Sequence, residues 1–423
     1  MSFRGPNIIK INGGLGQQAP SDRNVAGLLL RKAYFVASTF ESGETYELHS
    51  LDDATALGLS PASDANNTTG ANATTAMAWY HISEFFRLNP DGTLFVKPVP
   101  EAPSSFATHL SNIMAASGNR VRYIGVVYGF DPDILPAVTG GFGGTVAADI
   151  ATAQQWVEDQ AALNVYVDCV VLGGIVAAAP VDLKTLDAPQ VHVTVACDSG
   201  YFDALGYPAN FANTAAVGTV LGSIGCRMLS ESIGSVKLER YPAKARGQAD
   251  YSLVDTRQNR WVKFGTSSGN AYETIPQSQR DDLSTKGYGY AGYYEGYPGV
   301  YFNQDATCTL VTDDYNTIHI NRIWNEAARM VRRALIPRMN SRVKIDPSSG
   351  KVDPATIADW DAAAKRQLDG LLAEGEIADY TFTLDPDQDV IATGKVTTKL
   401  SITPQGIAKA IEAEIGFTNP AQA

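Results

Sequence analysis

The residue types that could support metal binding or catalysis are few in this chain and widely spread. The five histidines are His49, His81, His109, His192 and His319. Metal sites need ligands at short, regular spacings, and no HxH or HExxH pattern occurs. His192 lies in a strand pattern close to Asp198, but the GxSxG elbow of a hydrolase nucleophile is missing from the sequence. The histidines therefore predict neither a metal site nor a hydrolase site.

The four cysteines are also widely spaced along the sequence. They are Cys169, Cys197, Cys226 and Cys308, and no two of them form a CxxC pair. A zinc site or a disulfide framework would need tighter clustering. We expect these four side chains to be small buried apolar residues.

A glycine-rich loop is the one feature that suggests a phosphate site. Residues 140–144 (GGFGG) follow a predicted strand and precede a predicted helix, where backbone N–H groups can bind anions. The loop lacks the lysine and the Ser/Thr of a Walker motif, and it does not spell GxGxxG. We therefore expect a surface loop and no cofactor.

Composition and charge are those of a folded protein with an acidic surface. The formal net charge is −12, which argues against general nucleic-acid binding. No run of apolar residues is long enough to span a membrane, and the first residues do not resemble a secretory signal. These features predict a protein that is made and kept in the cytoplasm unless something else exports it, without nucleic-acid or membrane partners.

The middle of the chain alternates between strand and helix patterns. Strands are predicted at 122–128, 165–172 and 191–196, and helices at 147–163 and 217–229. Such alternation favours a sheet with helical crossovers.

Two amphipathic helices are predicted nearer the C-terminus. The first begins at Asp313 or Asp314 and runs to about Leu335. The second begins with Asp353 as cap and Pro354 in the first turn, and Gly375 ends it.

The sequence after these helices alternates with period two, as strands do. Tyr380, Phe382 and Leu384 mark the first strand, and the run from Val396 to Ile402 marks the second. Residues 404–406 (PQG) then break the chain before a third alternating run at 411–417. The predicted class is therefore mixed α+β and α/β, with a small C-terminal α+β domain of two helices packed on a sheet and an α/β domain before it.

Taken in order, several segments resemble the tail sheath family of contractile phages and contractile injection systems. The resemblance is strongest over 296–423, which includes GYPGVYFN at 296–303, DDY at 313–315, the first of the two helices and the strands around the PQG break. Residues 48–59 (LHSLDDATALGL) and 79–87 (WYHISEFFR) are also similar to sheath segments. For residues 200–290 no resemblance is identified.

The resemblance implies a division of the chain into three regions. Residues 1–21 would be an N-terminal arm with a donated strand, 22–255 an inserted outer α/β domain, and 256–423 the C-terminal sheath domain ending in a donated strand at 404–423. Sheath proteins link by strand donation, so that terminal strands of two subunits complete the small sheet of a third.

The residues expected to form these intersubunit strands have the required pattern. They are Ile8, Ile9 and Ile11 in the N-terminal strand, and Ile411, Ala413, Ile415 and Phe417 in the C-terminal strand. An alternating strand with one apolar face is unstable when exposed, so it requires a sheet edge. Pairing within its own subunit is the alternative.

The first of the two helices also carries an unusual charge. Between His319 and Lys344 there are seven Lys or Arg residues and one acid, Glu326, in a chain of net −12. The family places such helices against the inner tube, which implies tube contacts for Arg322, Arg329, Arg332 and Arg333. A solvated face, or ion pairs between sheath subunits, is the other interpretation.

The function implied by the resemblance is structural. The chain would polymerise with itself as a helical stack of rings, about six subunits each, around an inner tail tube protein. It would also meet baseplate and tail terminator proteins, and contraction would drive the tube through a target envelope. Assembly would take place in the host bacterial cytoplasm, and the product would be a virion tail or a released injection particle. A baseplate component and an α/β enzyme with an unrecognised site are the alternatives.

Overall fold

The fold is that of a computed structural model, which describes residues 22–31, 40–41, 43–66, 77–99, 106–128, 138–139, 142–143, 146–175, 179–205, 214–237 and 251–413. The strands are β1 (Val25–Arg31), β2 (Tyr46–Leu48), β3 (Thr93–Val99), β4 (Tyr123–Val127), β5 (Val138–Thr139), β6 (Phe142–Gly143), β7 (Cys169–Gly173), β8 (Val191–Thr194), β9 (Ala196–Cys197), β10 (Gly265–Thr266), β11 (Ala291–Gly292), β12 (Tyr301–Phe302), β13 (Ile377–Leu384) and β14 (Thr398–Pro404). The α-helices are α1 (Leu51–Ala56), α2 (Pro61–Asn66), α3 (Ala78–Leu88), α4 (Phe106–Ala116), α5 (Val146–Ala162), α6 (Ser199–Ala204), α7 (Val217–Gly225), α8 (Gln277–Thr285), α9 (Ile318–Leu335), α10 (Pro354–Glu374) and α11 (Val390–Thr393).

A six-stranded sheet in the order β2-β3-β1-β4-β7-β8 forms the centre of the molecule. All neighbouring pairs are parallel except β2 with β3, which puts the antiparallel strand at one edge. The central strand β1 is buried on both faces, with Leu28 and Leu30 packed on one side and Val25 and Leu29 on the other. A parallel sheet covered on both faces needs such continuous apolar strands.

Helices cover both faces of this sheet. Helices α3 and α7 pack together on one face, and α4 and α5 cover the other. The α3–α7 contact is close because Gly218 has no side chain, and a Cβ there would lie 2.2 Å from the carbonyl oxygen of His81. The three layers confirm the α/β class predicted for this part of the chain.

Residues 256–308 pack against the same sheet. Trp261 and Phe302 belong to the core on the α3–α7 face, whereas Tyr288 and Cys308 belong to the core on the opposite face. The packing therefore changes near residue 310, after which the side chains belong mainly to a separate cluster, and the division at residue 255 stays a prediction.

The C-terminal part has its own apolar cluster. Helices α9 and α10 pack on each other, and the antiparallel pair β13–β14 packs on both. Side chains such as Ala327, Leu368 and Phe382 are buried between them. The predicted pair of helices followed by two strands is confirmed.

The ends of the two C-terminal helices differ in how well the sequence predicted them. Asp353 caps α10 by accepting a hydrogen bond from the N–H of Ala355, and Gly375 ends it with φ of 77°, both as expected. Helix α9, however, begins at Ile318, several residues after Asp313. Asp313 instead accepts hydrogen bonds from the N–H of Tyr315 and the hydroxyl of Thr309, which closes a turn before the helix.

Candidate assembly surface

The β13–β14 hairpin has one face on the helices and one face in solvent. Tyr380 lies opposite Ile402 and Phe382 opposite Leu400, and these side chains pack toward α9 and α10. The alternate residues, including Lys399, are exposed. The period-two alternation that predicted these strands therefore places their side chains in turn on the buried face and on the exposed face, as in a half-buried sheet.

The strand β14 has a strand partner on one edge only within the described part of the chain. Residues of β14 also line an open groove of about 920 Å³, which they share with α9 and two nearby loops. Trp324 is 42% exposed in this groove, and Tyr166 and Tyr315 contact its ring edge-on, each with ring centres 5.9 Å apart. The other α9 residues in the groove are Ile320, Ile323, Ala328, Val331 and Arg332.

This combination has the chemistry that could accept an extended segment. An unpaired strand edge offers main-chain donors and acceptors to an incoming strand, and an adjacent apolar floor can accept alternate side chains. The α9 and β14 sides of the groove contribute residues to the C-terminal cluster, which holds these two elements together.

Helix α9 is fixed to the N-terminal part by side-chain hydrogen bonds along several turns. These bonds run from Asn321 to Pro189 O (2.6 Å), from Arg322 to Met228 O (2.9 Å), from Asn325 to Val167 O and Asp168 (both 3.0 Å), and from Arg329 to Tyr166 O (3.0 Å) and Asp168 (3.1 Å). His319, in the first turn, pairs with the buried carboxylate of Asp305. The helix therefore joins the two parts of the chain rigidly.

Two of the four arginines predicted to contact the tube instead form hydrogen bonds or ion pairs within the chain. Arg322 is buried and donates to the carbonyls of Met228 and Arg227. Arg329 pairs with Asp168 and Glu326. Burial alone would lower the pKa of Arg329, but the charges of Asp168 and Glu326 outweigh burial and raise it, so the guanidinium stays ionised in place.

The other two arginines lie in solvent. Arg332 and Arg333 are exposed near the end of α9. With Arg122, Arg329 and several apolar residues they line a second groove, of about 400 Å³. Of the four arginines predicted to contact the tube, Arg332 and Arg333 are thus the two whose side chains are exposed to a partner.

Most of the predicted donated strands lie outside the described residues. This applies to Ile8, Ile9, Ile11, Ile415 and Phe417. Ile411 and Ala413 are described; they are exposed, Ile411 by 87%, and belong to no strand. Strand donation by these segments stays a prediction.

Two of the histidines, for which no catalytic role was predicted, are core residues. His81 is buried, accepts a hydrogen bond at Nδ1 from the N–H of Gly218, and has its pKa lowered to about 3 by burial. His192 is buried as well, with Nδ1 bonded to the carbonyl of Ala306, and burial lowers its pKa. All four cysteines are free, and all four are buried, as expected.

No metal site appears among the described residues, since no three His, Cys, Asp or Glu side chains converge there. Of the glycine-rich loop, the structure describes Phe142–Gly143, which pair with Val138–Thr139 as a short hairpin. None of the described helices is long and apolar enough to cross a bilayer.

A buried ionic cluster was not anticipated from the sequence. Glu84 on α3 is fully buried and accepts hydrogen bonds from Arg87 (2.7 Å) and from the indole N–H of Trp261 (3.0 Å). Arg260 and Asp198 lie in the same region. The sequence feature that could have indicated this cluster is Glu84, a charged residue within the apolar segment 79–87 and three residues before Arg87.

Comparison of the sequence with protein families gives matches over almost the whole chain. Residues 3–306 match the model described as DUF2586, N-terminal domain, and residues 314–422 match DUF2586, C-terminal domain. The two models meet where the packing changes, near residue 310. No curated protein matches the chain by sequence.

Comparison with solved structures gives full-length matches. The helical sheath of the anti-feeding prophage in its contracted state is 14% identical, with 98% of this chain and 99% of that chain covered and a TM-score of 0.61. The contracted PVC sheath of an extracellular contractile injection system is 13% identical, with coverages of 100% and 99% and a TM-score of 0.59.

A third match is a crystal structure of a sheath tail protein from Desulfitobacterium hafniense. It is 10% identical, with coverages of 94% and 100% and a TM-score of 0.51. At these identities the likeness establishes the fold, which agrees with the resemblance seen in the sequence. The chain belongs to the DUF2586 family and has the fold of contractile sheath proteins.

Proposed function

We propose that this chain is a structural subunit of a contractile tail sheath. It polymerises as a helical stack of rings around an inner tube, and it contracts to drive the tube through a target envelope. The sheath fold over the full chain supports this function, and the open β14 edge is the observation that carries it.

The β14 edge and its groove accept a strand from another subunit. The sequence 411–417 has the alternating apolar pattern that such a groove requires, and its first residues are solvent-exposed in the single chain. Burying Ile411, Ala413, Ile415 and Phe417 would stabilise the contact by about 5–8 kcal/mol before ordering costs. The N-terminal segment with Ile8, Ile9 and Ile11 supplies a further strand. Because each donated strand stays covalently joined to its own subunit, neighbours stay connected while the lattice rearranges.

The inner tube is contacted by the exposed end of α9. Arg332 and Arg333 face solvent in a molecule of net −12, so they form a local basic patch that suits acidic groups on tube subunits. Exposed ion pairs are individually weak and sensitive to salt, which suits an attachment that must be released during contraction.

The remaining partners follow from this role. They are further copies of the chain, the tail tube protein, and the baseplate and tail terminator proteins at the two ends. Assembly takes place in the host bacterial cytoplasm, and the product works as a virion tail or a released injection particle.

Electron microscopy of the chain co-expressed with its tube and baseplate tests the proposal. The informative variant ends at Ala410, which leaves β14 intact but removes the donated strand. The matched control lacks residues 418–423, which follow that strand. We expect long hollow cylinders from the full chain and from the control, and none from the variant that ends at Ala410.

Other outcomes are equally informative. Cylinders from the variant ending at Ala410 would contradict strand donation by the C-terminus. A baseplate component remains a second candidate, since one full-length match is a chain of the anti-feeding prophage baseplate structure, with a TM-score of 0.60 and 14% identity. Discrete rings or wedges in place of cylinders from the full chain would favour that candidate.

A further inference from the structure

The groove of about 400 Å³ at the end of α9 is lined by arginines from both parts of the chain. Arg122 comes from the segment just before β4, and Arg329, Arg332 and Arg333 come from α9. The other lining residues are apolar or uncharged, and no Asp or Glu is among those that the structure describes there. We call this opening the arginine groove.

Two of the four arginines are fixed where the two parts meet. Arg122 is buried, with 8% of its surface exposed. Arg329 is held behind the groove by Asp168 at 3.1 Å and by Glu326 at 3.0 Å. These two carboxylates are fewer than the four arginines, and Glu326 also pairs with Arg23, so the groove keeps a positive charge.

The other two arginines add exposed guanidinium groups to the same opening. Arg332 and Arg333 are exposed, and neither forms an ion pair within the described part of the chain. They follow Arg329 by three and four positions, and like charges at this spacing on a helix repel each other. The negative end of the helix dipole favours arginines at the end of α9, but it does not account for Arg122 on a separate element. A negative ligand would relieve the repulsion.

Uncharged hydrogen-bonding groups complete the lining. Asn119 and Asn164 belong to it, one from the turn after α4 and the other from the turn after α5. Both have φ of 62°, the left-handed conformation that asparagine tolerates well. Their side-chain amides can donate hydrogen bonds without adding charge. The described lining therefore combines guanidinium and amide donors with no acidic acceptor.

We propose that the arginine groove binds an oxyanion of the phosphate type. Arg332 and Arg333 contact it from α9, and Arg122 contacts it from the N-terminal part. A guanidinium presents its N–H groups as a fork that matches two phosphate oxygens. Because phosphate has more oxygens and more charge than a carboxylate, several arginines can share it. The inference goes beyond the proposed function, since the site belongs to the single chain and needs no lattice.

Titration of the isolated full chain with inorganic phosphate tests the proposal. Heat of binding is measured near pH 7 at constant ionic strength, so that general screening is the same in every sample. The groove variant is Arg332→Gln with Arg333→Gln, which leaves the buried Arg122 and Arg329 in place. The control is Arg342→Gln with Lys344→Gln, which removes the same charge at exposed residues outside the groove.

We expect the unchanged chain and the control to bind phosphate with similar affinity, and the groove variant to bind it about ten-fold more weakly or worse. Phosphate also stabilises proteins in general by exclusion from their surfaces. Thermal unfolding should therefore show a phosphate-induced rise in Tm that is larger for the unchanged chain and the control than for the groove variant.

Three results would overturn the site: no binding to the unchanged chain, equal binding by the groove variant, or an equal loss in the control. Acetate at the same ionic strength is the competing ligand, and binding as tight as that of phosphate would mean that the groove takes carboxylates instead. Circular dichroism checks that each variant is folded. The experiment involves neither tube nor cylinders, so its failure would leave the proposed sheath function standing.

Discussion

Buried carboxyl groups cluster where α3, α6 and the segment around Trp261 meet. Asp198 accepts hydrogen bonds from the N–H groups of Trp261 (2.9 Å) and Tyr201 (3.3 Å). Burial, reinforced by the charge of Glu84, raises the pKa of Asp198 to about 8, although Trp261 and Arg260 oppose the shift. A carboxyl with this pKa is protonated in the folded protein near neutral pH.

The raised pKa makes Asp198 a source of pH-dependent stability. In the unfolded chain the group loses its proton near pH 4, whereas in the fold it keeps it to about pH 8, so its contribution to stability falls as pH rises between these values. Asp198→Asn keeps an acceptor and has no charge. We expect its stability relative to the unchanged chain to rise by on the order of 1–3 kcal/mol from about pH 5 to about pH 8.

Urea unfolding of both proteins at several pH values measures this difference. A difference that does not change with pH would contradict the raised pKa. The neighbouring Asp64, whose pKa burial raises to about 7, is present in both proteins, so its effect cancels.

A second prediction at this scale concerns the buried pair between Arg329 and Asp168. Arg329→Gln leaves the carboxylate of Asp168 buried, with Asn325 as a remaining side-chain donor. Breaking a buried pair from one side costs about 3–5 kcal/mol, and we expect the lower end because Asn325 still donates. Arg333→Gln, at an exposed position on the same helix, should change stability by less than about 0.5 kcal/mol. Equal effects of the two substitutions in chemical unfolding would show that Arg329 is not a structural anchor.

At the scale of elements, helix packing depends on a missing side chain. Gly218 brings α7 against α3, and a Cβ there would lie 2.2 Å from His81 O, which is backbone and cannot rotate away. Gly218→Ala should therefore destabilise the protein by about 1–3 kcal/mol.

Gly370 in α10 is the matched control, because nothing lies within 4 Å of the Cβ that would be added there. Gly370→Ala should stabilise the helix by up to about 1 kcal/mol, since alanine has the higher helix propensity. Thermal unfolding of both variants should give shifts of opposite sign. A neutral Gly218→Ala would mean that α3 and α7 can move apart.

Elements with local signals were predictable from the sequence. Asp353, Pro354 and Gly375 define the ends of α10 through contacts within a few residues, and the period-two pattern defines β13 and β14. The α9 start was misplaced because Asp313 can cap a helix or close a turn, and the choice depends on Thr309 and Tyr315 around it.

Features that depend on distant residues were not predictable. From the charge count, Arg322 was predicted to be a surface residue. The carbonyls of Met228 and Arg227 that bind it lie about 95 positions earlier in the chain, so no local pattern indicated its burial. The partners of Glu84 also lie far from it in the sequence, so they could not be predicted. The same is true of the packing of Trp261 and Tyr288 against the central sheet. The groove beside β14 is formed by segments from 164 to 404, so the sequence indicated the strand but not its open edge.

At the scale of the whole molecule, the acidic net charge contrasts with the basic end of α9. The double variant Arg332→Glu with Arg333→Glu removes the exposed basic patch and leaves the buried contacts of Arg322 and Arg329 in place. We expect co-assembly with the tube to drop several-fold at low salt, with no change in the stability of the isolated chain. Unaltered co-assembly would contradict the tube contact, and an unfolded variant would be detected by circular dichroism.

The fixation of α9 has a mechanical consequence. The helix is about 27 Å long, and its side chains between Asn321 and Arg329 are bonded to carbonyls and carboxylates of the N-terminal part. A pull applied at the β14 edge thus reaches the central sheet through these lateral bonds, in parallel with the peptide that connects the two parts.

That connecting peptide passes through the exposed residues Leu310 and Val311. Protease cleavage there should leave two fragments that still elute together in size-exclusion chromatography, whereas separate elution would show that the backbone alone holds them. The subunit would then transmit load through a non-covalent interface, so the mechanical connection between its two parts would survive a break in the backbone.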